Sequence, residues 1–282
     1  MAAEVTKRFQ GTPAAKRLEI ILGDAIKLPQ FPYFDVCISN TPYQISSPLT
    51  FKLLATSPAP RTCVLMFQRE FAMRLFARPG EKLYSRLSVN AQMWAKIDHV
   101  MKVGRNNFNP PPQVESNVVR ITPKNPRPQI SYDEWDGLLR ICFVRKNRVL
   151  RSAFLGTTSV MDMIERNYRT YCAQNDITLD DGPADELTND DIDMIDDEKD
   201  DGMDIEDDDD IPDFFREEAD KQEKTQKNTR KKKGKVFELV RGKVVKVLEK
   251  DTDLVEKRAR MCDEGDFLKL LYAFNQEGIH FS

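Results

Sequence analysis

The tetrapeptide Asn40-Thr41-Pro42-Tyr43 brings together groups that can manage an amine on a base ring. Such an amine is a poor nucleophile because its lone pair is delocalised into the ring. The Asn40 side-chain oxygen and the Pro42 backbone carbonyl could accept its two hydrogens and leave the nitrogen lone pair facing an electrophilic methyl group, while the Tyr43 ring stacks on the base. Neither a metal nor a strong base is needed. A plain turn is the competing reading, with Pro42 stiffening the loop and Asn40 capping a backbone group. Four residues recur by chance, so their surroundings must decide.

The elements expected to position this loop are strands alternating with helices. Residues 18–22 read as a short strand ending at Gly23-Asp24, and residues 36–38 as another ending at Ser39-Asn40, since each apolar run is too short for a helix and is bounded by turn residues. Ser47 and Pro48 suit the first positions of a helix whose apolar face is Leu49, Leu53 and Leu54, so the loop joins a strand to a helix. A third strand-like run at 63–67 precedes a helix at 70–76. This alternation predicts an α/β fold with a parallel sheet covered on both faces and ligands at the carboxyl ends of its strands. Further on, 87–94 reads as helix and 99–103 and 118–121 as strands, with Pro110-Pro111-Pro112 as a stiff connector.

A boundary is expected at 123–128. Beyond it, Ser131 and Glu134 form a capping-box pattern ahead of Trp135, Leu138, Leu139, Cys142 and Phe143 at helical spacing. The chain is expected to divide into a sheet domain at 1–125, a helical domain at 126–179, an acidic and then basic disordered insert at 180–235, and a helical completion at 236–282. Residues 180–210 hold eighteen carboxylates against one lysine, about −17 in total, which the formal net charge of −3 conceals. The rest is distinctly basic and favours a polyanionic partner, though ordinary solubilising charge would look the same in composition alone. The acidic run lacks the glycine and terminal Glu spacing of an EF-hand loop. His99 and His280 have no ligand-spaced companions, so no metal is expected, and His99 reads as a partly buried strand residue. Five single cysteines and no apolar run of the roughly 18 residues a membrane span needs point to a soluble protein of a reducing compartment.

The ordered motifs GDA at 23–25, SNTPYQISSP at 39–48, LMFQREFAMRL at 65–75, VGRNNFNPPPQVES at 103–116 and FVRKNRVLRSAF at 143–154 resemble those of the ribosomal RNA adenine dimethyltransferases, specifically the eukaryotic branch. The resemblance covers about residues 1–175 and the last thirty or so. It implies a Rossmann-like methyltransferase sheet with a small C-terminal helical domain, S-adenosylmethionine as cofactor, and dimethylation of adenines in small-subunit ribosomal RNA during ribosome biogenesis. Asn40, Pro42 and Tyr43 then look catalytic, Thr41 and Phe108 look like parts of the target-base pocket, and Asp24 resembles the acid that meets the cofactor's adenine amine, with Asn40 also beside the cofactor. Thr41 stands where this branch usually has Leu or Ile, which predicts a change of packing more than of chemistry. Arg69 falls on the RNA side by the same resemblance, although Arg69 and Glu70 also suit a solvated helix start. Arg145, Lys146, Arg148 and Arg151 look like the basic RNA grip, and their close spacing supports that reading independently. The implied partner is small-subunit ribosomal RNA within a pre-ribosomal particle, met by a monomer in the nucleus or nucleolus and in the cytoplasm.

One departure is large. The family has a basic extension, a strand ending in a glycine-rich cofactor loop and a strand ending in a ribose-binding carboxylate before the point that Met1 matches, and no GxGxG occurs in this sequence. MAAEVTKRF has helical periodicity without an N-cap, so the sequence reads as starting at an internal methionine. A non-catalytic ribosome-assembly factor that keeps only the RNA grip is the alternative function. A DNA adenine methyltransferase fits the motif array less well.

Overall fold

The computed structural model describes residues 2–180, 182 and 234–282. Four strands, β1 (Val36–Asn40), β2 (Thr62–Gln68), β3 (Ala95–Val103) and β4 (Ser116–Pro123), form one sheet in the order β1-β2-β4-β3. Only β1 and β2 are parallel, while β4 runs antiparallel to both β2 and β3. The expected parallel sheet is therefore a mixed one. A parallel pair requires a crossover, and here α2 (Ser46–Ala55) supplies it; the antiparallel β3 and β4 need only a loop.

That difference also corrects the expectation of two covered faces. Helices α2, α3 (Arg69–Phe76) and α4 (Arg86–Trp94) pack together over one face, burying Cys63, Leu65 and Phe67 of β2 with Val119 and Ile121 of β4. On the other face Val36 and Ile38 of β1 are 51% and 79% exposed. Residues 18–22, expected as a strand, form no strand pairing among the described residues, and Leu22 is 87% exposed. A short apolar run bounded by turn residues is strand-like, yet a strand forms only where a neighbour offers a hydrogen-bonding edge. Upstream, α1 (Ala2–Phe9) buries no residue. His99, expected to be partly buried, is exposed on β3 beside a bulge that breaks the alternation before Met101.

The helical part comprises α5 (Tyr132–Phe143), α6 (Leu150–Leu155), α7 (Thr158–Gln174), α8 (Lys235–Lys246) and α9 (Glu264–Gln276). Ser131 caps α5, its hydroxyl accepting from the Glu134 amide at 3.5 Å, and Trp135, Leu138, Leu139, Cys142 and Phe143 are all buried. The C-terminal segment returns to this helix. Glu134 accepts from the Phe281 amide at 3.0 Å and lies 3.2 Å from His280 Nδ1, while a Cβ on Gly137 would come within 2.1 Å of the Phe281 carbonyl oxygen. Only glycine lets the tail lie so close. Sheet and helices meet through buried Asp136, which accepts from Asn90 Nδ2 of α4 and from Arg140 Nε, both at 2.9 Å. All five cysteines are free thiols. Among the described residues no helix is long and apolar enough to cross a membrane, and no group of three or more His, Cys, Asp or Glu is placed to hold a metal.

Most of the acidic and basic insert, residues 183–233, lies outside the described residues. Its flanks meet: the Lys235 amide donates to the Gly182 carbonyl at 3.1 Å and the Lys235 ammonium reaches Asp180 at 3.0 Å. Closing a loop between ends already in contact depends only weakly on its length. Replacing residues 183–233 by a short flexible linker should thus preserve a single cooperative melting transition in calorimetry. Loss of that transition would show that the insert packs on the core.

Lys243 donates to Glu277 at 2.9 Å and Lys246 also contacts this carboxylate, tying α8 to the end of α9. The two ammonium groups, Lys246 first, hold the Glu277 carboxyl below its ordinary value. A depressed acid stabilises the fold above its unfolded value of about 4.3 and loses that contribution as pH falls through the lower folded value. Glu277→Gln should flatten the fall in melting temperature below about pH 4.3. An unchanged acid profile would show the pair contributes nothing to stability.

Candidate active site

At Asn40 the chain leaves β1, and a single 3-10 turn, Tyr43–Ile45, leads into α2. Thr41 is buried, with its hydroxyl 3.4 Å from Ser39 Oγ, so its side chain packs the loop against the strand end. The Ile45 amide donates to the Pro42 carbonyl at 3.1 Å and closes the turn. A carbonyl oxygen has two lone pairs, so one remains for a ligand. The Asn40 side chain is exposed and has no hydrogen-bond partner among the described residues. Tyr43 is half-buried, and its hydroxyl shares a 2.7 Å hydrogen bond with Ser116 Oγ at the start of β4.

Phe108 follows the 3-10 turn Arg105–Asn107 and is half-buried, its amide donating to the Arg105 carbonyl at 3.2 Å. Arg105 Nη1 donates to the Gln113 carbonyl at 3.2 Å and braces the same loop, which then runs into Ser116. Asp24 is exposed. One of its oxygens accepts from the Ile26 amide at 2.9 Å, and the Lys52 ammonium of α2 donates to the Ala25, Ile26 and Leu28 carbonyls, at 2.8 and 3.0 Å for the first two. Lys52 therefore ties the Asp24 loop to the helix that begins behind Asn40.

Arg69 starts α3, its amide donating to the Glu115 carbonyl at 2.9 Å and its guanidinium 3.6 Å from the Glu115 carboxylate. Lys102 holds the same carboxylate at 2.9 Å, and this bond, with the charges of Lys102, Arg69 and Arg105, keeps Glu115 below the usual carboxylate range. Part of the attraction of Arg69 for a phosphate is thus already directed at a neighbour.

Arg145, Lys146, Arg148 and Arg151 lie elsewhere, on the turn after α5 and on α6; the Arg148 amide closes that turn on the Arg145 carbonyl, and the backbones of Lys146 and Arg151 bond to the C-terminal segment. Val149 bridges Arg258 in antiparallel fashion, the Leu150 amide donates to the Lys257 carbonyl at 2.9 Å, and the Arg260 amide to the Lys146 carbonyl at 3.3 Å. Arg258, exposed, is thereby set beside the cluster. None of Arg145, Lys146, Arg148, Arg151 and Arg258 is ion-paired with a carboxylate of the described residues, whereas Lys102, Arg120 and Lys243 all are. The connector from α3 to α4 docks on the same segment, with the Gly80 amide 2.8 Å from the Arg260 carbonyl and Tyr84 donating to the Cys262 carbonyl at 2.8 Å.

Residues 1–189 fit the family model described as ribosomal RNA adenine dimethylase. The chain belongs to that family. The dimethyladenosine transferase of Saccharomyces cerevisiae is 52% identical over 282 residues, spanning all of this chain and 72% of the relative. That of Chaetomium thermophilum is 56% identical over 312 residues, spanning 76% of the relative. The crystal structure of a dimethyladenosine transferase from Plasmodium falciparum superposes with a TM-score of 0.70 at 37% identity, covering 100% of this chain and 80% of the other.

Three residues that touch or brace the candidate site residues are not legible in the sequence. Ser116 closes a motif that was read for its proline run, Lys52 is a lone cation on an apolar helix, and Arg258 meets its cluster only through the fold. The family uses S-adenosylmethionine, and the polar groups this chain has on offer near the 40s loop include the exposed Asp24 carboxylate and the exposed Asn40 side chain. The twelve glycines lie singly, with no GxGxG to let backbone approach the methionine and ribose portions. The sequence given thus offers no glycine-rich backbone cradle for those two portions. The 282-residue chain purified alone should give no measurable heat with micromolar S-adenosylmethionine in isothermal titration. A micromolar Kd would show that another segment supplies the missing cradle.

Proposed function

We propose that this chain carries the target-base half of an S-adenosylmethionine-dependent dimethylation of adenines in small-subunit ribosomal RNA. The observation that carries the assignment of residues is the unpartnered, exposed Asn40 amide at a strand's carboxyl end, next to a Tyr43 ring whose hydroxyl is fixed. Asn40 and the free lone pair of Pro42 accept the adenine amine hydrogens, Tyr43 and Phe108 flank the base, and Asp24 meets the cofactor's adenine. The cofactor supplies an electrophilic methyl. By accepting both hydrogens, the loop leaves the amine lone pair as the one exit for bonding, which is worth most near the transition state.

The finer architecture follows the same reading. The sheet of residues 1–125 is Rossmann-like, and its uncovered face with exposed Val36 and Ile38, together with the unpaired run at 18–22, suits a sheet that continues beyond β1. The helical parts, 126–179 and 236–282, grip RNA of a pre-ribosomal particle through Arg145, Lys146, Arg148 and Arg151, with Arg69 beside the base. The protein acts as a monomer outside the particle, in the nucleus and nucleolus and with late particles in the cytoplasm. Absence of a glycine cradle favours one other reading, a non-catalytic assembly factor that keeps the grip alone.

One experiment separates the two roles. In protein expressed from its own gene, Asn40→Ala should lower the single-turnover methylation rate by roughly two orders of magnitude, the scale of losing one transition-state hydrogen bond, while leaving RNA affinity nearly unchanged. Arg145→Ala with Arg148→Ala should do the reverse, weakening RNA binding and reducing its salt slope by about one for each phosphate that is no longer neutralised. An Asn40→Ala protein that methylates normally would overturn the mechanism. No methylation by the parent protein would establish the assembly-factor reading.

A further inference from the structure

We infer that Ser116 is a positioning residue for the target base, acting through Tyr43; the inference rests on the reading of Tyr43 as a wall of the base pocket. Strand register places Asn40 beside Met66, Met66 beside Val118, and Gln68 beside Ser116. Since alternate residues of a strand share a face, Asn40 and Ser116 lie on the same side of the sheet, opposite the helices. That face is open elsewhere: Ile38 is 79% exposed, and Met66 and Val118 are only half-buried. Ser116 nevertheless has 0% exposure. The loop after β1 arcs over β2 and sets the Tyr43 hydroxyl 2.7 Å from Ser116 Oγ, a distance typical of a well-formed O–H···O bond.

Two consequences separate this contact from ordinary packing. The bond ties residue 43 to a strand that shares no edge with β1, so the ring stays fixed relative to β4 while Asn40 is fixed to β1. Ser116 also ends the loop that carries Phe108, braced by Arg105 at Gln113. One hydroxyl thereby sets the spacing of the two aromatic walls. Its neighbour Glu115 projects to the other side, where it holds Arg69 and Lys102, so consecutive residues anchor the base wall and the start of α3.

The test uses the 282-residue chain and a short RNA carrying 2-aminopurine in an unpaired loop, whose fluorescence is quenched when the base stacks on a ring. Tyr43→Ala should abolish the quench. Tyr43→Phe and Ser116→Ala should each weaken capture of the base by roughly three- to tenfold, the factor one net hydrogen bond is worth. The double variant Tyr43→Phe with Ser116→Ala should lose no more than either single variant, because both remove the same bond. Should Ser116→Ala fail to melt cooperatively, Tyr43→Phe decides alone, since it deletes one oxygen from a half-buried loop. A full quench in Tyr43→Phe, or additive losses in the double variant, would overturn the role of Ser116 while leaving Tyr43 as a wall. An undiminished quench in Tyr43→Ala would overturn the base-pocket reading, and this inference with it.

Discussion

Parallel strands cannot be joined by a tight turn, and the site of this protein follows from that constraint. To lie parallel to β1, β2 must be reached by a crossover, so the chain leaves the sheet at Asn40 and spends α2 returning to the other end. The residue at that exit has its side chain outside the ladder and its backbone at the sheet's rim. Antiparallel β3 and β4 impose no such excursion, and they bring the start of β4 to the same rim instead. The 40s loop and the residue that supports it, Ser116, therefore come from the two kinds of strand pairing that meet at β2.

Local chemistry made much of this legible. The strand at 63–67 and the N-cap of α5 at Ser131 are each written in a few consecutive residues and are found there, although Glu134 turns its carboxylate to the C-terminal segment instead of completing a capping box. The 40s loop was legible for the same reason. What escaped the sequence was pairing. Residues 18–22 have the composition of a strand, but a strand is a relation between two segments, and among the described residues none pairs with them. The antiparallel direction of β4, the placement of Ser116 under Tyr43 and that of Arg258 beside Val149 are contacts between distant parts of the chain, which local periodicity does not encode.

The helical part shows how a sequence-distant segment can complete a charged surface. Residues 145–151 alone form a short irregular stretch whose backbone groups need partners, and the segment 255–260 supplies them in antiparallel fashion. The cost of ordering long Arg and Lys side chains is not recovered here by ion pairs, because the cations of this ribbon have no carboxylate among the described residues. Elsewhere on the surface Lys102, Arg120 and Lys246 do. Cations without a carboxylate partner keep their attraction for a polyanion, whose binding releases counterions. The docking of Gly80 and Tyr84 onto the same segment holds this ribbon in a fixed relation to the sheet.

A fixed aromatic wall is more valuable than its anchoring bond. Stacking of one base on an aromatic ring contributes roughly 1–3 kcal/mol, whereas a net hydrogen bond contributes about 0.5–1.5 kcal/mol. The smaller term controls whether the larger one is realised, since a ring free to rotate must lose that freedom when the base arrives. In a closed core, neighbouring side chains would hold the ring by packing. On the open face of this sheet there are too few of them, and a directional bond to a strand that does not move performs the same task with one hydroxyl.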